Sequence, residues 1–255
     1  MPVACGDVLK AFDGGRIFGS IHGAAPPAVL ALHGWGRSST DFDAVLAGLD
    51  AVALDLPGFG ATPPPPEVWG GAEYAAAVAP VLDDMAAPVV VLGHSFGGRV
   101  AVHLAALRPE GVAGLVLTGV PLVRLTGRPA RRPPVAYRLV RAAHRRGLLG
   151  EARMEAMRQR HGSPDYRAAT GVMRGVHVRA VNETYDEVLR RLVCPVELVW
   201  GEDDADVPPA VARAVRSRLP EATVRTVPGA GHLTPLTAPG ELRSAVERLL
   251  AARRP

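Results

Sequence analysis

The residues best suited to chemistry lie in three short stretches, and the most specific is Gly93-His94-Ser95-Phe96-Gly97-Gly98. It follows the apolar run 89–92 and precedes an Ala-rich amphipathic stretch, which is the strand-turn-helix setting that a G-x-S-x-G nucleophile elbow requires. Side chains at 93 and 97 would collide with neighbouring backbone in so tight a turn. Ser95 is thereby pushed out above the sheet at a helix N-terminus, whose amides favour developing negative charge. A Gly-rich turn capped by serine would share the spacing, but the flanking strand and helix patterns favour the nucleophile.

A serine hydroxyl is a weak nucleophile at neutral pH, so a base must take its proton and an acid must hold that base in one tautomer. The stretch Trp200-Gly201-Glu202-Asp203-Asp204-Ala205-Asp206-Val207-Pro208 follows an apolar run, which places carboxylates at the end of a strand. Spacing alone leaves Asp203, Asp204 and Asp206 as candidates. Among eight histidines, only His232 combines a strand-end loop, adjacent glycine and a place after the acid, in Val227-Pro228-Gly229-Ala230-Gly231-His232. The others have plainer settings: His33 and His94 flank motifs, His22 ends a strand, His103 sits in a helix, and His144, His161 and His177 fall in an Arg-rich segment.

Elements must bring these stretches together. Apolar runs at 28–32, 51–54, 89–92, 115–117, 196–200 and 223–227 alternate with amphipathic stretches at 40–49, 72–85, 96–107, 209–219 and 240–252. That alternation predicts an α/β fold with a mostly parallel sheet flanked by helices. Segments 8–12 and 16–22 predict an opening hairpin that turns at Asp13-Gly14-Gly15. Between 121 and 192 the β-type runs stop, and helices are expected at 137–146, 151–160, 165–178 and 184–192.

With 255 residues and 48% hydrophobic content, one catalytic domain is the default. No run of about 18 apolar residues occurs, and the first residues lack the layout of a signal peptide, which predicts a cytoplasmic protein with no membrane partner. Cys5 and Cys194 have no ligand-like neighbours, so neither a disulfide framework nor a zinc site is expected. The net charge is +4, but it is unevenly spread. Residues 121–191 hold 16 arginines against 6 acids, while the remainder holds 13 basic and 19 acidic residues. Nucleic-acid binding is not expected, because no reader motif or interleaved aromatics accompany the arginines.

Nearly the whole chain resembles the α/β-hydrolase family, in its esterase, thioesterase and cofactor-free haloperoxidase-like branch. HGWG at 33–36, DLPGFG at 55–60, GHSFGG, GEDDADVP and GAGH carry the likeness. The resemblance implies a triad of Ser95, Asp204 and His232 in that chain order. The family's G-x-x-D-x-x-V-P pattern selects Asp204, and Asp206 stands where an apolar residue is usual. It also implies an oxyanion hole of the Trp35 and Phe96 backbone N–H groups, with Trp35 a candidate wall of the acyl pocket and Asp55 fixing a loop.

The likeness further divides the chain into a core of 1–120 and 192–255 and a helical lid of 121–191, inserted after strand six. Val135, Tyr137, Leu148, Met154, Met157, Met173 and Val176 are expected either to line an acyl tunnel or to form the lid's own core. The implied function is hydrolysis of a carboxylic ester or thioester through an acyl-enzyme, with no metal or organic cofactor. The arginines suggest that the ester arrives on an anionic carrier protein or coenzyme A. The same triad also serves acyl transfer, carbon-carbon bond hydrolysis and perhydrolysis, and a non-catalytic ligand receptor can retain the fold.

Overall fold

Side-chain alternation in the central strands creates two apolar layers. In Val29–Leu32, Leu30 and Leu32 join one buried cluster while Val29 and Ala31 join the other. Ala51–Asp55 and Val89–His94 are likewise buried at every position. Strands covered on both faces must be apolar throughout, which is why they read as continuous runs.

The computed structural model describes residues 8–86, 88–125, 134–219 and 221–253; Cys5 lies outside them. The strands are β1 (Val8–Phe12), β2 (Ile17–His22), β3 (Val29–Leu32), β4 (Ala51–Asp55), β5 (Val89–His94), β6 (Val112–Thr118), β7 (Val196–Gly201) and β8 (Thr223–Val227). They form one sheet in the order β1-β2-β4-β3-β5-β6-β7-β8. The pairs β1–β2 and β2–β4 are antiparallel and all other pairs are parallel. The α/β architecture expected from the alternation is therefore present.

Helices α1 (Asp43–Leu46) and α11 (Pro239–Ala252) supply the cluster on one face, and α2 (Gly71–Val78) and α3 (Phe96–Leu107) that on the other. Between β6 and β7 lie α4 (Val135–Arg145), α5 (Glu151–His161), α6 (Pro164–Ala168), α7 (Gly171–Asn182) and α8 (Asp186–Arg190). α9 (Ala210–Arg216) and α10 (Thr234–Thr237) complete the set.

Three expected helices differ in extent. The stretch 40–49 is a 3-10 turn, Ser39–Phe42, followed by the single turn of α1. The stretch 72–85 changes from α2 to a 3-10 turn at Ala79–Asp84, where Pro80 has no N–H to continue the α-helical ladder. Val81 and Leu82 remain buried, so the apolar pattern survives the change. The expected helix 165–178 is two helices, because Ala169 and Thr170 are extended and Gly171 has φ +50°.

The helices between β6 and β7 rest on the core through α7 and α8, and α8 buries Val188 and Leu189. Met173, Val176 and Ala180 of α7 are buried as well. Arg179 pairs with Glu73 at 2.6 Å and donates to the Val68 carbonyl at 2.9 Å, and Glu183 accepts from the Gly71 N–H at 2.8 Å. α4 buries no residue and α5 buries only Met154. Val135 and Leu148 are 66% and 73% exposed, so they neither line a tunnel nor form a core. Among the described residues, no helix is long and apolar enough to cross a membrane.

Candidate active site

The turn after β5 is held from both sides. The Ser95 N–H donates to the Thr118 carbonyl at the end of β6, and the Gly97 N–H donates to the His33 carbonyl after β3, each at 2.9 Å. A Cβ on Gly97 would lie 2.0 Å from the Leu32 carbonyl oxygen, so only glycine allows this approach. Ser95 itself has φ +48° and ψ −109°, a conformation that serine adopts only when its surroundings enforce it.

The loops after β7 and β8 deliver two further side chains to Ser95. His232 Nδ1 donates to Asp204 Oδ2 at 2.9 Å, and the Ser95 hydroxyl donates to His232 Nε2 at 3.2 Å. Asp204 is 3% exposed, and its Oδ1 accepts the Val207 N–H at 2.7 Å. The Val207 carbonyl in turn accepts the Trp200 indole N–H at 2.7 Å, which fixes the loop to its strand. Asp203 and Asp206 are exposed.

Trp35 and Phe96 meet beside this line. Their rings are 5.3 Å apart, and Phe59 packs edge-on to Trp35 at 5.0 Å. The 34–35 backbone lies against the elbow, since a Cβ on Gly34 would be 2.8 Å from His94 Nδ1 and 3.4 Å from Ser95 Cβ. Phe96 opens α3, so its own N–H has no intrahelical acceptor.

Asp55 holds a loop, as expected: its oxygens accept the Ser39 N–H at 2.7 Å and the Ala61 N–H at 2.8 Å. His33 is also structural. It donates to the Gly34 carbonyl at 2.7 Å and accepts the Leu56 N–H at 3.0 Å. His94 donates to the His232 carbonyl at 3.0 Å and so supports the loop that carries His232.

Electrostatics separate these imidazoles. Burial holds His33 below the usual histidine range, and burial followed by the neighbouring His232 pulls His94 down to about 4. For His232, burial acts in the same direction, but the hydrogen bond and charge of Asp204, aided by Asp206 and Asp165, outweigh it and raise the pKa. His232 is therefore the strongest base of the three.

One residue here was not singled out in the sequence: His177 of α7, whose ring lies 4.8 Å from that of Trp35. The contact spans 142 positions, and no local pattern marks it. Among the described residues, Asp204, Asp206 and His232 each bring one polar atom within 4.8 Å of the others. Two of them already share a hydrogen bond, so a cation there would compete with the line to Ser95.

A model of the alpha/beta hydrolase family matches residues 29–245, and the chain belongs to that family. The chain is 30% identical over 250 residues to the pimeloyl-[acyl-carrier protein] methyl ester esterase of Aromatoleum aromaticum, covering 87% of this chain and 97% of that one. It is 29% identical over 240 residues to the protein of the same name from Neisseria meningitidis, covering 86% and 91%. The crystal structure of a putative lipase from Acinetobacter baumannii superimposes with a TM-score of 0.72 at 18% identity, covering 97% and 93%.

Proposed function

We propose that this protein hydrolyses carboxylic esters or thioesters through Ser95, His232 and Asp204. The observation that carries the reading is one hydrogen-bonded line, from a buried carboxylate through an imidazole of raised pKa to a serine on a strained elbow. Ser95 Oγ attacks the acyl carbon as His232 Nε2 takes its proton, and the Trp35 and Phe96 N–H groups receive the oxyanion. His232 then protonates the leaving group, which departs and leaves an acyl-serine. Water enters, gives a proton to His232 and attacks the ester. Collapse of the second tetrahedral species returns that proton to Ser95 and releases the acid. The steps need no metal or organic cofactor.

Residues 121–191 form the lid over this site, and residues 1–120 and 192–255 form the core. Packing of His177 on Trp35 supports that reading, because it sets α7 at the oxyanion loop. The arginine excess of the segment, and the names of the two esterase relatives, support an acyl group delivered on an anionic carrier.

The expected result is turnover of p-nitrophenyl esters by the parent and none by Ser95→Ala. With a carrier-bound ester, kcat/KM should fall steeply with added salt, whereas the rate with a short neutral ester should change little. Equal salt responses would remove the carrier from the account and leave the hydrolase reading in place.

A further inference from the structure

Asp206 is an acid that the catalytic line does not use, at a position where the family pattern carries an apolar residue. We infer that Asp206 is a positioning residue for the base: a second, water-facing carboxylate that stabilises the His232 imidazolium formed when Ser95 attacks. The inference rests on His232 acting as the base.

The geometry places one Asp206 oxygen, one Asp204 oxygen and one His232 ring nitrogen within 4.8 Å of one another. Two carboxylates this close repel, and a positive charge on the adjacent ring relieves that repulsion. The two acids differ in setting. Both Asp204 oxygens are engaged, at 2.9 Å by His232 and at 2.7 Å by Val207, inside the protein. Asp206 is exposed, so it stays hydrated and acts on the ring through charge.

Other ionisable groups facing His232 come from two further elements. His94 of the elbow is 5.0 Å away between ring centroids and is held neutral down to about pH 4, and Asp165 of α6 adds a third negative charge. The Gly119 backbone after β6 also borders the ring and carries no charge. Asp206 follows Asp204 among the charges that raise the His232 pKa.

The sign follows. Loss of Asp206 lowers the His232 pKa, so the acid limb of kcat/KM, which requires the neutral ring, moves to lower pH. Above the limb the rate falls, because the imidazolium of the transition state has lost a partner. The parent-to-variant ratio therefore rises with pH, a signature that general structural damage does not produce.

The test is the pH profile of kcat/KM for a short neutral p-nitrophenyl ester at low and high salt, with fluorophosphonate labelling as the check on the triad. Asp206→Asn should shift the acid limb to lower pH and lower the plateau about fivefold, a magnitude suited to one solvated charge at this range. Asp206→Glu should restore the parent limb, Asp203→Asn should leave it in place, and salt should move the parent's limb more than that of Asp206→Asn. A labelled Asp206→Asn with an unmoved limb overturns the inference alone, as does an equal shift in Asp203→Asn. A parent that is folded but unlabelled overturns the triad and this inference with it.

Discussion

Replacing His232 by alanine is expected to lower kcat for ester turnover by about six orders of magnitude while KM changes little, because the group that accepts the Ser95 proton is lost. Without that acceptor, attack must generate an alkoxide in water or wait for a solvent base. Thermal unfolding of the variant should remain cooperative, since the ring is partly exposed and its loss truncates no buried apolar side chain. The parent should show a matching pH dependence. The His232 pKa is raised, chiefly by Asp204 against the effect of burial, so kcat/KM should decline as pH falls through that elevated value and the ring becomes protonated. A variant that retains a hundredth of parental turnover would mean that another group serves as the base.

Asp204→Asn is expected to cost about four orders of magnitude in kcat despite being isosteric. The reason lies in Val207. Its N–H donates to Oδ1 at 2.7 Å, so an asparagine must keep its carbonyl oxygen there and turn its NH2 group toward His232 Nδ1. That group can only donate, which forces the ring proton onto Nε2 and blocks the site that must accept from Ser95. Asp203→Asn should stay within about twofold of parent, because its side chain is exposed and lies outside the line. Steady-state kinetics on both variants separates the two carboxylates. The double variant His232→Ala with Asp204→Asn should be no slower than His232→Ala alone, since the residues act as one unit.

How much of this was legible in the sequence depends on how local each cause is. The elbow was legible because its determinants are neighbours: an apolar strand, small residues at 93, 97 and 98, and a helix, all between Val89 and Leu107. The same holds for the carboxylate and histidine loops, each of which follows a strand of the parallel sheet. Parallel strands present their carboxyl ends on one side, so three distant strand-end loops meet without any further signal.

What was not legible depends on contacts across the chain. His177 reads as one more histidine in an arginine-rich segment, and its place against Trp35 follows from how α7 lies on Tyr74 and Glu73. The break between α6 and α7 was hidden because 165–178 contains no proline and its alanines suit a helix. Val135 has the composition of a buried residue, but α4 contacts chiefly α5 and leaves it uncovered, and Leu148 is exposed in the turn between those two helices. Pro80 ends the α-helical ladder, but burial of Val81 and Leu82 preserves the apolar pattern through a 3-10 turn, so 72–85 reads as one helix.

The central claim is that Ser95 is a nucleophile activated in place. The most direct measurement is reaction of the folded protein with a fluorophosphonate, followed by mass spectrometry of its peptides. The account predicts one adduct on Ser95, complete loss of labelling in Ser95→Ala, and labelling slowed by several orders of magnitude in His232→Ala. A folded parent that takes up no probe, or carries it on another residue while Ser95 stays unmodified, would contradict the account.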